Sequence, residues 1–207
     1  IYYKENLKDL PPNAYAITFD DGFENNYKYA APILDDLNIP ATFYVATKFI
    51  EKNLMSWIDQ IEFIVDKKSN VNINLPWGEF RLTDKNKSKI MLLDSIRYNV
   101  KNNVIYKPSK IVKIIYDQLN VEIVSSGEDE ITKMMSWKQV SEINNNKLFT
   151  VGGHSHSHNI LSFLSENQMR NDINLSIKLL FEKGTLYTHH YSYPEGLKHC
   201  YNNSVIK

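Results

Sequence analysis

A chain of 207 residues, 43% of them hydrophobic, can bury one full core, and its length argues for a single domain over residues 1–207. Lysine plus arginine equal aspartate plus glutamate at 24 each, so no net field draws in nucleic acid or an anionic membrane surface. No apolar run approaches the roughly 18 residues that span a bilayer, and a 12% aromatic share with 13 tyrosines suits a cleft that stacks on sugar faces as well as ordinary core packing.

Residues 14–20 are rich in β-formers and run into Asp20-Asp21-Gly22, the turn chemistry expected where a buried strand stops. From Tyr27 the apolar positions Tyr27, Ala30, Ile33, Leu34 and Leu37 recur at helical spacing, with Pro32 either kinking the helix or opening its second part. A second strand over residues 41–46 follows Pro40, and strand, helix, strand with a short return predicts parallel α/β architecture. Between residues 54 and 135 the pattern weakens. Trp57, Ile58, Ile61, Ile64 and Val65 read as helical, as do Ile111, Val112, Ile115 and Leu119, while Val71–Leu75 alternates like an exposed strand. A structureless loop of that length is uncommon in a compact domain, so the stretch is expected to be an elaboration that shapes the cleft.

Ser136 and Gln139 form a capping box that opens a helix through Val140 and Ile143, and residues 148–151 read as a third short strand before a Gly152-Gly153 break. A second capping box, Ser165 with Gln168, starts a helix whose Met169, Ile173, Ile177 and Leu180 share a face and which Gly184 stops. Residues 191–193 are expected as a last strand before Pro194.

Two short segments could carry chemistry. On a turn, His154 and His158 share one side and His156 faces away; two neutral imidazoles so spaced can reach one ion at roughly 2.0–2.1 Å, and a carboxylate would complete a three-ligand site with an open position. Taken alone, that stretch reads first as a polar loop, and Asp20-Asp21-Gly22 as a strand-ending turn. Both follow predicted strands, however, which puts them on the same rim of a parallel sheet, and one offers the acidic ligand that the other lacks.

The ordered set Thr18-Phe19-Asp20-Asp21-Gly22, Tyr29-Ala30-Ala31-Pro32-Ile33-Leu34, Pro40-Ala41-Thr42-Phe43, Met135-Ser136-Trp137 and Gly153-His154-Ser155-His156-Ser157-His158 resembles the polysaccharide deacetylase (NodB-homology) family. The resemblance covers residues 14–47 and 134–196 and leaves residues 54–133 as an insertion. It implies a distorted (β/α) TIM-like barrel and a hydrolase that removes an acyl group, N-acetyl first, from a carbohydrate. It further implies a divalent metal, usually zinc, on Asp21, His154 and His158, with Asp20 as general base. Tyr193-Pro194-Glu195-Gly196 matches a later motif, implying that the Glu195 backbone amide helps hold the oxyanion and that Tyr193 and Pro194 contact substrate.

This sequence departs from that pattern at three places. Ser192 stands where many members carry an arginine that pairs with the base. Glu195 replaces an aromatic residue; a negative charge beside a developing oxyanion is unfavourable, so its side chain is expected to face outward. The sequence stops at Lys207, short of the Leu-x-His segment that supplies the family's general acid, which favours a fragment with a barrel incomplete at its C-terminal end, or else an acid drawn from His189, His190 or His199. Two rival readings of the same residues are iron and oxygen chemistry on the two-histidine, one-carboxylate set, and a carbohydrate-binding domain that keeps the metal loop without turnover.

Overall fold

Pro40 and the β-rich run behind it nucleate the centre of the sheet. In the computed structural model, which describes residues 9–127, 129–184 and 189–206, that run is β2 (Ala41–Val45), with Ala41, Phe43 and Val45 buried on one face. β1 (Ile17–Phe19) pairs with one side of β2 and β5 (Phe149–Gly153) with the other, both parallel, in register Ile17 with Ala41 and Ala41 with Phe149. Phe43 joins the three strands: its ring stacks on Phe19 with centroids 4.9 Å apart and meets Phe149 edge-on at 5.4 Å.

β1 is not the buried strand that its sequence predicts. It is three residues long, and Ile17 is 36% exposed, because among the described residues its outer edge has no partner strand. On the far side of the sheet, the expected strand at residues 191–193 shrinks to a parallel bridge from Tyr191 to Gly153. The sheet is therefore open among the described residues, and the expected barrel does not close there.

The helices cover this sheet. A π-turn at Asn26–Ala30 runs into α1 (Ala31–Asp36), so Pro32 opens the second part of the helix from its first turn, where the hydrogen-bond pattern changes from π to α. α1 buries Ala31 and Leu34. A short α2 (Thr47–Lys52) follows β2 directly, and α6 (Trp137–Asn145) starts at the Ser136–Gln139 capping box, both halves of which are formed. The long helix α7 (Glu166–Gly184) starts at the second box, where Ser165 N donates to Gln168 Oε1 at 3.1 Å.

α7 buries only part of the face that its apolar spacing predicts and adds two polar residues to it. Met169, Asp172, Ser176 and Leu180 are buried, while Ile177 is 45% exposed. The helix lies against a loop whose amide groups at His156 and Ser157 need acceptors, which Asp172 supplies and an aliphatic residue would not.

Residues 57–121 form a unit with its own core. α3 (Trp57–Asp66), the hairpin β3 (Val71–Leu75) and β4 (Gly78–Leu82), α4 (Asn86–Asn102) and α5 (Pro108–Gln118) bury Ile61, Ile64, Ile73, Leu82, Ile96 and Ile115 together. β3 is thus half-buried rather than exposed: Ile73 and Leu75 point into this second core. The unit leaves and rejoins the main fold at one place, since Met55 N donates to Ser125 O at 2.8 Å and Gly127 N to Asn53 O at 3.0 Å. The last described helix, α8, is Asn203–Ile206.

Candidate functional site

At the end of β1 the chain reverses within three residues. Gly22 N donates to Asp20 O at 2.9 Å, closing a γ-turn with Asp21 at φ +71°, and Gly22 follows at φ +96°. A Cβ on Gly22 would lie 2.8 Å from Ile50 Cδ1, so both the backbone angle and the space demand glycine. Ala46 N donates to the Asp21 carbonyl at 3.2 Å, and beyond it Glu24 N donates to Lys133 O at 2.8 Å and Met135 N to Gly22 O at 2.9 Å. The Glu24 carboxylate ties the same segments together through Lys28 at 2.8 Å, Lys133 at 3.3 Å and Gln139 Nε2 at 3.0 Å. These partners hold it well below the usual carboxylate range, at about 2, with Lys28 the largest cause.

The histidine stretch follows β5. Gly152 and Gly153 do not break the strand as their sequence suggests; they pair with Tyr44 and Val45 of β2, and aromatic rings pack close against them. A Cβ on Gly152 would meet the Tyr44 ring at 2.6 Å, and one on Gly153 the Tyr191 ring at 2.5 Å. His154 N then donates to Val45 O at 3.0 Å, and the chain turns through Ser155 at φ +64° and His158 at φ +52°.

Asp172 on α7 stabilises that turn: Oδ1 accepts from His156 N at 2.7 Å and Oδ2 from Ser157 N at 3.1 Å. Ser155 Oγ accepts from His158 N at 2.8 Å, and the first amides of α2, Thr47 N and Lys48 N, donate to the carbonyls of Ser155 and His156 at 3.2 and 3.0 Å. His156 Nδ1 lies 2.9 Å from Thr47 Oγ1, so this histidine is engaged away from its two neighbours.

The two loops meet. His158 Nε2 is 3.0 Å and His154 Nε2 3.5 Å from the same oxygen, Asp21 Oδ1, and one donor atom from each of the three residues lies within 4.8 Å of the others. His154 Nδ1 donates to the Ser192 carbonyl at 2.8 Å, which leaves its Nε2 lone pair facing the carboxylate. Burial, reinforced by His158, pushes the His154 imidazole below its ordinary value and favours this neutral form, although Asp21 and Asp20 pull the other way. Burial also disfavours charge on His158 and on Asp21, but their mutual attraction outweighs it, raising His158 and lowering Asp21. Asp21 Oδ1 is nonetheless buried without a properly formed hydrogen bond. A lone pair aimed at an unsatisfied buried carboxylate oxygen is the donor set of a cation site, and the residues fit a divalent ion of the tetrahedral N/O type.

These three side chains border a cavity of about 360 Å³, which Asp20, Phe23, Trp57, Asp59, Lys101, Tyr193 and Glu195 also line. Asp20 is exposed to it, whereas Pro194 is buried and does not line it. His189, His190 and His199 do not line it either, and His199 Nε2 is 2.7 Å from the Lys101 carbonyl.

Glu195 departs from the outward orientation expected of it. Its side chain is only 11% exposed and borders the cavity, neutralised by Lys101 Nζ at 2.5 Å. The cation comes from α4, which the sequence pattern did not assign, so nothing local to Glu195 announced it. Asp172 and Asp59 were missed as well. Asp59 had a signal, its place as the third helical residue after Ser56, where the two form a capping box. Burial raises its carboxyl, partly offset by the Ser56 hydrogen bonds.

Backbone strain gathers at the same place. Of the nine non-glycine residues with positive φ among those described, five are asparagines, which tolerate that region; the other four, Asp21, Ser155, His158 and Glu195, are all in or beside this site.

The family model for polysaccharide deacetylase matches residues 8–207. Among solved structures the fold is similar to that described as "Streptococcus pyogenes deacetylase PplD in complex with acetate", at 16% identity and TM-score 0.54, with 99% of this chain and 55% of that one covered. It is also similar to the BpsB deacetylase domain from Bordetella bronchiseptica, at 18% identity and TM-score 0.50 over 98% and 62% of the two chains. IcaB from Ammonifex degensii matches at 17% identity and TM-score 0.51 over 97% and 57%. The chain spans 55–62% of the length of these three structures, and at such identities the likeness speaks for the fold alone. No curated protein matches the chain. With a match running from residue 8 to residue 207, the chain belongs to the polysaccharide deacetylase family.

Proposed function

We propose that this protein removes an acyl group, N-acetyl in the first instance, from a carbohydrate by metal-dependent hydrolysis. The observation that carries the reading is the convergence of Asp21, His154 and His158 donor atoms within 4.8 Å at a cavity that also holds Asp20 and Glu195. Asp21, His154 and His158 would hold a divalent ion, zinc for preference, which when bound would polarise the acyl carbonyl and lower the pKa of the attacking water. Asp20, the exposed carboxylate of the pair, takes the proton from that water as its oxygen adds to the acyl carbon; as the tetrahedral adduct collapses, the C–N bond to the sugar breaks and that proton passes to the departing amine, leaving acetate and the free amino sugar. The Glu195 backbone N–H donates to the acyl oxygen as negative charge develops there, a role worth about 3 kcal/mol for a single donor. Tyr193, tilted against Tyr201 at 4.9 Å, borders the cavity and offers the sugar an aromatic face. Pro194 acts from behind by fixing the turn rather than by contact.

In the same reading the fold is an open, distorted (β/α) barrel in one catalytic domain, with residues 54–133 inserted; the parallel order of β1, β2 and β5 and the paired entry and exit of the insertion support it. The test is acetate release from N-acetylated oligosaccharides by the zinc-loaded chain. Asp20→Asn should lower turnover by at least a hundredfold with zinc still bound, and turnover unchanged by that substitution would refute the mechanism. Sugar binding without any turnover by the wild type would favour the binding-domain reading instead.

A further inference from the structure

The insertion contributes more than a wall. The cavity at the Asp21, His154 and His158 centre is lined by four carboxylates, Asp20, Asp21, Asp59 and Glu195, and by one lysine or arginine among the described residues, Lys101. That lysine sits in the last turn of the 17-residue helix α4, where the helix dipole favours a cation. It is fixed at three points. Its neighbour Val100 is buried in the insertion's own core, its carbonyl accepts from His199 Nε2 at 2.7 Å, and its Nζ lies 2.5 Å from Glu195 Oε2 with only 25% of its side chain exposed. Glu195 in turn is held at φ +71°, a left-handed angle that a glutamate does not adopt without outside support.

We propose that Lys101 is a positioning residue for the reaction: by neutralising and anchoring the Glu195 side chain, it holds the strained 195 peptide at the centre and cancels a negative charge where the acyl oxygen becomes negative. The insertion thereby completes the active site from outside the main sheet. The proposal rests on the deacetylase reading above. Without Lys101, an uncompensated carboxylate would face both the developing oxyanion and any bound anion. The harm should therefore come from the charge left on Glu195, and taking that charge away should undo part of it.

The experiment compares the zinc-loaded wild type with Lys101→Met, Lys101→Arg, Glu195→Gln and the Lys101→Met/Glu195→Gln double variant. Turnover is measured on penta-N-acetylchitopentaose and on 4-nitrophenyl acetate, and acetate binding by calorimetry. Zinc content and the thermal midpoint of each variant separate misfolding from misplacement. Lys101→Met should lower kcat by about tenfold to a hundredfold, with KM and zinc content little changed, and should weaken acetate binding about tenfold. Lys101→Arg should restore most of both, and the double variant should lie closer to wild type than Lys101→Met does. Three outcomes overturn the proposal: kcat and acetate affinity in Lys101→Met equal to wild type; a double variant as impaired as Lys101→Met with no rescue by arginine; or losses that follow the thermal midpoint alone. A wild type that holds zinc yet neither turns over a probe nor binds acetate would instead overturn the deacetylase reading, and this proposal with it.

Discussion

Asp172 offers the sharpest test of how the histidine turn is held. Its two carboxylate oxygens accept from His156 N at 2.7 Å and Ser157 N at 3.1 Å, and the residue is buried on α7. Hydrogen bonds to a charged acceptor contribute about 1.5–3 kcal/mol each, and a buried amide left without a partner costs a similar amount. The two bonds share one carboxylate and are not independent, so Asp172→Ala should cost about 3 kcal/mol in total. For a chain of this length that corresponds to a thermal midpoint lower by about 6–12 °C. Asp172→Asn keeps one acceptor oxygen but turns an amide group towards the second N–H, so it should lose at least half as much. The turn also orients His154 and His158, and loss of such outer support typically weakens metal binding by about 10–100-fold. Differential scanning calorimetry and zinc competition against a chromogenic chelator measure the two effects. A midpoint within 2 °C of wild type together with zinc affinity within about twofold would show that Asp172 does not support the loop as argued.

Glycine at 153 is required by contact rather than by flexibility. Gly153→Ala should destabilise by about 1–3 kcal/mol through the Tyr191 ring, and Tyr191→Leu in the same chain should recover part of that in urea unfolding. The ion pairs of Glu24 make stability depend on pH in a defined direction. The folded carboxyl titrates at about 2, below its ordinary value of 4.5, so its contribution is complete above pH about 4.5 and is lost as pH falls towards 2. Unfolding midpoints of wild type and Glu24→Gln should therefore differ at pH 6, draw together below pH about 4.5 and converge as pH falls to about 2, and a gap that stays constant would contradict this. Asp21→Asn should abolish stoichiometric zinc binding while leaving the far-ultraviolet circular dichroism intact, because the residue bonds the fold through its backbone carbonyl, which the substitution keeps.

How far the sequence reached depended on the range of the interactions involved. Both capping boxes, the strand at β2 and the Asp20-Asp21-Gly22 turn are set by residues within a few positions of one another, and local chemistry was enough to read them, whereas the two roles open to Pro32 were separated only by the structure. The pairing of the aspartate turn with the histidine stretch was legible for a topological reason: parallel strands carry their C-terminal ends to one rim of the sheet.

Only the tertiary structure decided the rest. An amphipathic pattern shows that a helix has two sides, but not that its neighbour is a loop in need of acceptors, so the inward turn of Asp172 and Ser176 at the expense of Ile177 could not be read in advance. Nor could the close packing of Tyr44 and Tyr191 on Gly152 and Gly153, where glycine spacing alone suggests a break. The orientation of Glu195 shows the limit most plainly. Its carboxylate turns inward because a lysine 94 positions earlier, on a helix of the insertion, stands there to neutralise it. A charge is stabilised by whatever opposite charge lies nearest in space, and that neighbour is fixed by packing, not by sequence order.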